Sequence, residues 1–218
     1  MSKYAVSDLH GHLQLWREIE KFLKPDDKVY VLGDCGDRGP QGWETIKAVY
    51  TNPQVVYLMG NHEKMLVDAA KDMDYYEYMG SKFELLVYNG GMETFSSWLA
   101  EENERTNWRI KLEKLPQITH YTNKDGIDII LCHSGDLTDL LWGRDFNIPL
   151  PTEINPQTVI IHGHTPCQYV SRDFNEKWDG GAFWYHNNTR CCLDQGTIKT
   201  KQVCLLDLDT FDEHIFCL

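Results

Sequence analysis

The sequence predicts an α/β fold, and three observations carry that expectation. Short apolar runs of strand length alternate with segments of helical period. The run Val29-Tyr30-Val31-Leu32 is apolar throughout and reads as a buried strand. Directly after it comes "GDCGDRGP" (33–40), charged and glycine-rich, and in open α/β sheets ligand sites are built at the carboxyl ends of strands. At 218 residues the chain is long enough for one substantial domain and short for two, so a single domain over 1–218 is expected.

Each element has its own signal. Residues 4–7 read as a first strand, and Trp16, Ile19, Phe22 and Leu23 then fall on one face of a helix. Pro25-Asp26-Asp27 stops that helix, and 28–32 is the second strand. A helix entered through Pro40 carries Trp43, Ile46, Val49 and Tyr50, and Asn52-Pro53 ends it before a third strand at 55–59. From 64 to about 115, alanine, leucine, glutamate and lysine dominate, interrupted by Gly80 and Asn89-Gly90-Gly91, which predicts a helical insertion or cap. Strands resume at 127–132, 158–161, 190–193, 202–208 and 214–217.

Composition narrows the function. Apolar content of 42% and charged content of 25% are ordinary globular values. A net charge of −12 leaves no basic surplus, so neither a nucleic-acid-binding surface nor membrane attachment is expected. A phosphate substrate stays compatible with that charge, because local cations can invert a local field. The N-terminal residues hold no signal-peptide core and no stretch reaches membrane-spanning length, which predicts a cytoplasmic location. The seven cysteines (Cys35, Cys132, Cys167, Cys191, Cys192, Cys204 and Cys217) are odd in number and lack paired CxxC spacing, so they read as free thiols.

Chemistry gathers at five strand ends. Asp8-Leu9-His10-Gly11 follows the first strand, and Gly33-Asp34, with Asp37-Arg38-Gly39 just beyond, follows the second. Gly60-Asn61-His62-Glu63 follows the third; His133-Ser134-Gly135 and His162-Gly163-His164-Thr165 follow the strands at 127–132 and 158–161. Each lies beside a glycine that lets the backbone turn sharply. Taken singly, Asp8 reads as a helix cap or turn residue and His133 as a satisfied core histidine. Taken together, carboxylates mixed with imidazoles suit divalent manganese, iron or zinc better than calcium or magnesium. The set is too large for one ion and the right size for two.

The succession Asp-x-His, Gly-Asp-x-x-Asp-Arg-Gly, Gly-Asn-His-Glu, His and Gly-His-Thr-Pro resembles the calcineurin-like metallophosphoesterases. Within them it most resembles the PPP-type serine/threonine phosphatases and their bacterial and phage relatives. "YNGGMETF" (88–95), "LLWGRD" (140–145) and "LDQGTIKTKQVCLLDLD" (193–209) are similar to bacterial members, so the likeness spans nearly the whole chain. It implies a metallophosphatase β-sandwich of two mixed sheets flanked by helices, with a helical insertion. It also implies two divalent metal ions, manganese first, iron or zinc as alternatives. Carried over by residue, Asp8, His10 and Asp34 hold the first ion, and Asn61, His133 and His164 the second, with Asp34 bridging. His62 and Asp37 match the family's catalytic His–Asp pair. Arg38 and Arg144, with Asn61, match the groups that bind the substrate phosphate. The implied reaction is in-line attack on phosphorus by a hydroxide bridging the metals, with His62 giving a proton to the leaving alkoxide. Glu63 is expected to accept hydrogen bonds behind the ligands, and His12 and His162 are expected to be non-ligands.

Two readings of the substrate stand open: a phosphoprotein or small phosphomonoester, or a dinucleoside polyphosphate or related nucleotide. A non-catalytic scaffold would show lost ligands, and none is lost. Met59 stands where many eukaryotic protein phosphatases of this family carry an arginine, so one phosphate contact is missing. Cys35, beside the bridging aspartate, reads as inert packing, with oxidation sensitivity as the alternative. Two aromatic stretches, Tyr75-Tyr76-Glu77-Tyr78 and Trp178 to Tyr185 in a loop, read as packing, with base stacking as the alternative.

Overall fold

The computed structural model describes residues 1–75, 80–146, 155 and 157–218. The first strand, β1 (Lys3–Val6), leads to helix α1 (Leu13–Phe22), then to β2 (Lys28–Val31), α2 (Gly42–Thr51) and β3 (Val55–Tyr57). The insertion is helical, as expected: α3 (Asn61–Tyr75), α4 (Ser81–Tyr88), α5 (Met92–Leu99) and α6 (Arg105–Glu113). There follow β4 (Ile118–Thr122), β5 (Asp128–Cys132), β6 (Val159–His162), α7 (Cys167–Asp173), β7 (Phe183–Tyr185) and β8 (Arg190–Cys192). The short α8 (Thr197–Thr200) precedes β9 (Gln202–Asp207) and β10 (Glu213–Cys217).

The strands form two mixed five-stranded sheets, in the orders β10-β9-β1-β2-β3 and β4-β5-β6-β8-β7. In the first, β1, β2 and β3 run parallel, with β9 antiparallel to β1; in the second, β5, β6 and β8 run parallel and β4 and β7 close the edges antiparallel. The period of two along each strand splits its side chains between two cores. Ala5, Leu32, Leu58, Leu131, Ile161, Leu193 and Leu206 fill the space between the sheets. Tyr4, Val6, Val29, Val31 and Leu205 turn outward against Trp16, Ile19, Trp43, Ile46 and the insertion's Phe95 and Trp98. With both faces covered, the central strands read as unbroken apolar runs. Among the described residues no helix is long and apolar enough to cross a membrane.

Three details differ from expectation. Asn61-His62-Glu63 is the first turn of α3 rather than a strand end, because Glu63 reaches back to accept the Gly60 N–H at 3.0 Å, half of a capping box. Strand β4 went unforeseen, its alternating Ile118-Thr119-His120-Tyr121-Thr122 joined to β5 by the Asp125-Gly126 turn. Residues 183–185, expected in a loop, pair with β8 as an edge strand and pack Phe183 and Tyr185 against Phe146 and Val170. Tyr76, Glu77 and Tyr78 lie outside the described residues.

Candidate active site

The parallel strands of both sheets aim their carboxyl ends at one place. There the backbone leaves ordinary conformations: Asp8, His10, Asp34, Asp37, Arg38 and His164 have φ of 56°, 41°, 55°, 65°, 64° and 69°. Non-glycine residues at positive φ are costly, about 1–3 kcal/mol each, and persist where surroundings over-determine them. Gly33 makes the closest approach possible, since a Cβ there would lie 2.5 Å from the Gly60 Cα. The ends of β2 and β3 are thereby brought together.

Glu63 holds the turn that carries Asp34. Its Oε2 accepts the Asp34 N–H at 2.8 Å, and its Oε1 accepts the Cys35 N–H at 2.9 Å and the Tyr57 hydroxyl at 2.8 Å. Asp34 Oδ1 accepts the His62 N–H at 3.0 Å, so the carboxylate sits at the N-terminus of α3. Asp8 Oδ2 accepts the His164 N–H at 3.0 Å and the Ser7 hydroxyl, while its Oδ1 is buried without a hydrogen-bond partner.

Two groups of donor atoms result, His10–Asp34–His62 and Asp34–His133–His164, with the atoms of each within 4.8 Å of one another. Asp34 is common to both. Asn61 Oδ1 joins the second, 2.9 Å from both His133 Nε2 and His164 Nδ1. Asp8 Oδ1 borders the first, 3.8 Å from His10 Nε2. The ring orientations are fixed from behind: His10 Nδ1 donates to the Gly36 carbonyl at 3.1 Å and His133 Nδ1 to the Leu32 carbonyl at 2.7 Å. Each Nε2 is left facing the centre, as in metal-binding histidines. An orphaned carboxylate oxygen, a shared carboxylate and inward-facing imidazoles fit two divalent cations.

The electrostatics agree with a cation-seeking site. Burial, then the neighbouring Asp34 charge, pushes Asp8 up to about 6. Asp34 is buried too, yet the charges of His133 and His62 pull it well below the usual carboxylate range. Against the effect of burial, Asp34 and Asp8 raise His133 to about 10. Burial and the His133 charge lower His164 to about 3.

The expected His–Asp pair is present: His62 Nδ1 lies 2.7 Å from Asp37 Oδ2, both buried, and His62 Nε2 has no hydrogen-bond partner. Arg38 does not staple its own turn to Asp37; its Nη1 donates to His10 Nε2 at 3.0 Å. Arg144 Nε donates to His164 Nε2 at 3.3 Å. Both guanidinium groups line a cleft of about 430 Å³ with Asp34, Asn61, Asn89, Trp142, Tyr169 and Asp173 among its other walls.

The remaining candidates fall away. His12 donates to the His10 carbonyl at 2.8 Å and accepts from Lys201 at 3.1 Å; His162 bonds to the Gly163 carbonyl and the Tyr185 hydroxyl at 3.0 and 2.7 Å. Cys35 is fully buried, and burial followed by the Glu63 charge raises its thiol well above the ordinary value, which leaves it inert. All seven cysteines are free. Trp178 donates to the Gly181 carbonyl at 2.9 Å and packs, like Phe174, against the cluster of Phe146, Phe183 and Tyr185, so this stretch is structural. The exposed aromatic faces in the cleft belong instead to Trp142 and Tyr169. Tyr169 had no sequence signal beyond its place five residues after His164.

The calcineurin-like phosphoesterase family profile matches residues 1–185. "Serine/threonine-protein phosphatase 2" of Salmonella typhimurium is 26% identical over 200 residues, 83% of this chain and 87% of that one. "Bis(5'-nucleosyl)-tetraphosphatase, symmetrical" of Pseudomonas fluorescens is 35% identical over 78 residues, 34% of this chain; the match spans 27% of that relative's length. A crystal structure of a candidate diadenosine tetraphosphatase superposes with a TM-score of 0.65 at 14% identity, over 98% of this chain and 92% of that chain. That likeness shows the fold: two mixed sheets flanked by helices.

Proposed function

The chain belongs to the calcineurin-like phosphoesterase family and is a metal-dependent phosphoric ester hydrolase, and from that premise we propose that it hydrolyses phosphomonoesters as a serine/threonine protein phosphatase of the bacterial and phage kind. The observation that carries this reading is the buried His62–Asp37 pair, whose Nε2 makes no hydrogen bond and lies 3.9 Å from Asp34, a residue that lines the cleft together with two arginines. The long match to the Salmonella phosphatase supports it. We read residues 1–218 as one domain, since the cores draw on strands from β1 to β10, and the free thiols fit a reducing cytoplasm.

In this reading Asp8, His10 and Asp34 hold one divalent ion, Asn61, His133 and His164 a second, and Asp34 serves both. Manganese is the ion we assign, on the mixture of oxygen and imidazole donors. When bound, such a pair neutralises phosphoryl charge and lowers the pKa of water. The chain's own residues do the rest. Arg38 and Arg144 present planar forks that match phosphate oxygens bidentately, which a lysine would not. Asp37 holds the His62 ring through Nδ1, and Nε2 is the atom that gives a proton to the leaving alkoxide.

One observation favours the second reading, a dinucleoside polyphosphate. A further cavity of about 220 Å³ shares Arg38, Pro166 and Tyr169 with the cleft as walls and is otherwise lined by His10, Gln168, Asp194, Gly196, Ile198 and Lys199. Two arms suit a substrate extending on both sides of the scissile group, and Trp142 and Tyr169, about 39% and 40% exposed, offer faces for stacking. The test compares kcat/KM of the manganese-loaded protein on a phosphothreonine peptide and on diadenosine tetraphosphate. Preference for the peptide upholds the proposal, and preference for the dinucleotide replaces it with the second reading. Asp34→Asn should abolish turnover of either while the protein stays folded; near-normal activity would remove the bridging role.

A further inference from the structure

Asp37 and Arg38 are consecutive non-glycine residues in the left-handed region, with φ of 65° and 64°. L-residues visit that region singly as a rule. Neither the strand before them nor the helix after them supplies the hydrogen bonds that hold them there. The helical insertion does. The Asp37 N–H donates to Thr94 Oγ1 at 3.0 Å, and Thr94, on α5, is buried. The Arg38 N–H donates to the Gly90 carbonyl at 3.0 Å, and its Nε reaches the Asn89 carbonyl at 3.4 Å. The turn between α4 and α5 also lies against the carboxylate, since a Cβ on Gly91 would come within 2.9 Å of Asp37 Oδ2. From the other side α2 makes room: a Cβ on Gly42 would lie 2.1 Å from Thr94 Oγ1 and 2.9 Å from the Asp37 nitrogen.

We propose that Thr94 is a positioning residue for phosphoester hydrolysis: its hydroxyl fixes the Asp37–Arg38 backbone so that one side chain meets His62 and the next enters the phosphate cleft. The inference rests on the roles given above to Asp37 and Arg38. It makes the insertion part of the active site's support, coupling its α4–α5 turn to both the proton donor and the phosphate clamp. Loss of the hydroxyl leaves a buried N–H without an acceptor and frees two backbone torsions at once.

The test uses the full, manganese-loaded chain carrying Thr94→Val, which keeps the shape and removes the hydroxyl, and Thr94→Ser, which keeps the hydroxyl. Misplacement of a catalytic group by about 1 Å costs on the order of a hundredfold, so Thr94→Val should lower kcat/KM about tenfold to a hundredfold. The loss should be larger on alkyl than on aryl phosphates, and inhibition by inorganic phosphate should weaken. Bound manganese should not change. Thr94→Ser should remain within about twofold of the parent, a negligible free-energy difference. Thr94→Ala, which removes the hydroxyl without adding bulk, should reproduce the Val signature and decides the matter if Thr94→Val does not fold. A folded Thr94→Val, or Thr94→Ala in its place, with parental kinetics and phosphate inhibition overturns the proposal. So does Thr94→Ser that fails as badly as Thr94→Val. If Asp34→Asn is dead while Thr94→Val is normal, only the Thr94 role falls; if Asp34→Asn stays active, the reading of the whole site falls first.

Discussion

Glu63→Gln isolates how the site's backbone is held. Glu63 is fully buried and accepts four donors: the Asp34 and Gly60 N–H groups at Oε2, and the Cys35 N–H and Tyr57 hydroxyl at Oε1. A glutamine must turn its NH₂ toward one of these pairs. The side facing Asp34 and Gly60 would oppose donor to two fixed donors, so the nitrogen should settle toward Cys35 and Tyr57, where the hydroxyl can rotate and accept. One buried N–H then lacks an acceptor, a cost of about 1–3 kcal/mol, and the other bonds lose their charge assistance. Burial first, and the Asp34 charge second, hold the Glu63 carboxyl above its ordinary value, so removing the charge gives part of this back. The expected balance is about 2–3 kcal/mol, which for a chain of this length lowers Tm by about 5–10 °C. Circular dichroism melting measures it, with Tyr57→Phe, which removes one donor, expected to cost about 1 kcal/mol. A Glu63→Gln melting point within about 2 °C of the parent would refute the view that this carboxylate anchors the Asp34 turn.

Three further outcomes are expected. His62→Ala should slow phosphoserine or alkyl phosphates more than aryl phosphates, because only poor leaving groups need the proton; equal losses in kcat would remove His62 from that role. Gly33→Ala should fail to fold or lose metal binding, since its Cβ would meet the Gly60 Cα at 2.5 Å in a φ of +92°, and a soluble, active variant would contradict the close approach of the two turns. Tyr169→Ala with Trp142→Ala should cost a dinucleotide substrate about 1–3 kcal/mol per lost stack, read as a ratio of kcat/KM against a phosphopeptide, and no change would relegate both rings to cleft walls.

The sequence disclosed the fold through the strands with both faces buried, where every residue of a run such as Val29 to Leu32 must be apolar. It was silent where one face meets water: β4 reads half polar, and the three residues of β7 were masked by the glycines before them. The site was legible because its donors lie beside glycines at strand ends, a local pattern. Long-range support was not. Thr94 is an ordinary helical threonine until the fold places it 3.0 Å from a nitrogen 57 positions earlier in the chain. Tyr169 and the cavity beyond it likewise arise from α7 meeting the 194–199 segment, a juxtaposition no periodicity encodes. The left-handed φ values of Asp8, His10 and Asp34 were not legible either: aspartate and histidine enter that region more often than other non-glycine residues, but residue type alone does not say which of them will.

A chain of net charge −12 that acts on a phosphate anion raises a question of where its negative charge lies. Part is exposed and screened, but Asp8, Asp34, Glu63 and Asp194 are buried around the proposed metal seats. Asp194 is pushed well above its ordinary value, by burial and then by Asp8, so these carboxyls destabilise one another. His133, raised to about 10, offsets part of this charge, and Arg38 and Arg144 stand at the cleft wall, which leaves the carboxyls in excess. Divalent cations would, and removing them should therefore unfold the protein more readily. An ion at 100 times its Kd contributes about 2.7 kcal/mol, so two contribute about 5, which corresponds to a fall in Tm on the order of 10–20 °C upon chelation. The location of the charge decides the salt dependence. Surface repulsion is screened over a Debye length of about 3 Å at 1 M salt, whereas repulsion among buried carboxylates is not. Potassium chloride at high concentration should fail to restore the melting temperature of the chelated protein, and manganese should restore it. Full rescue by potassium chloride would place the cation requirement on the acidic surface and away from the strand ends.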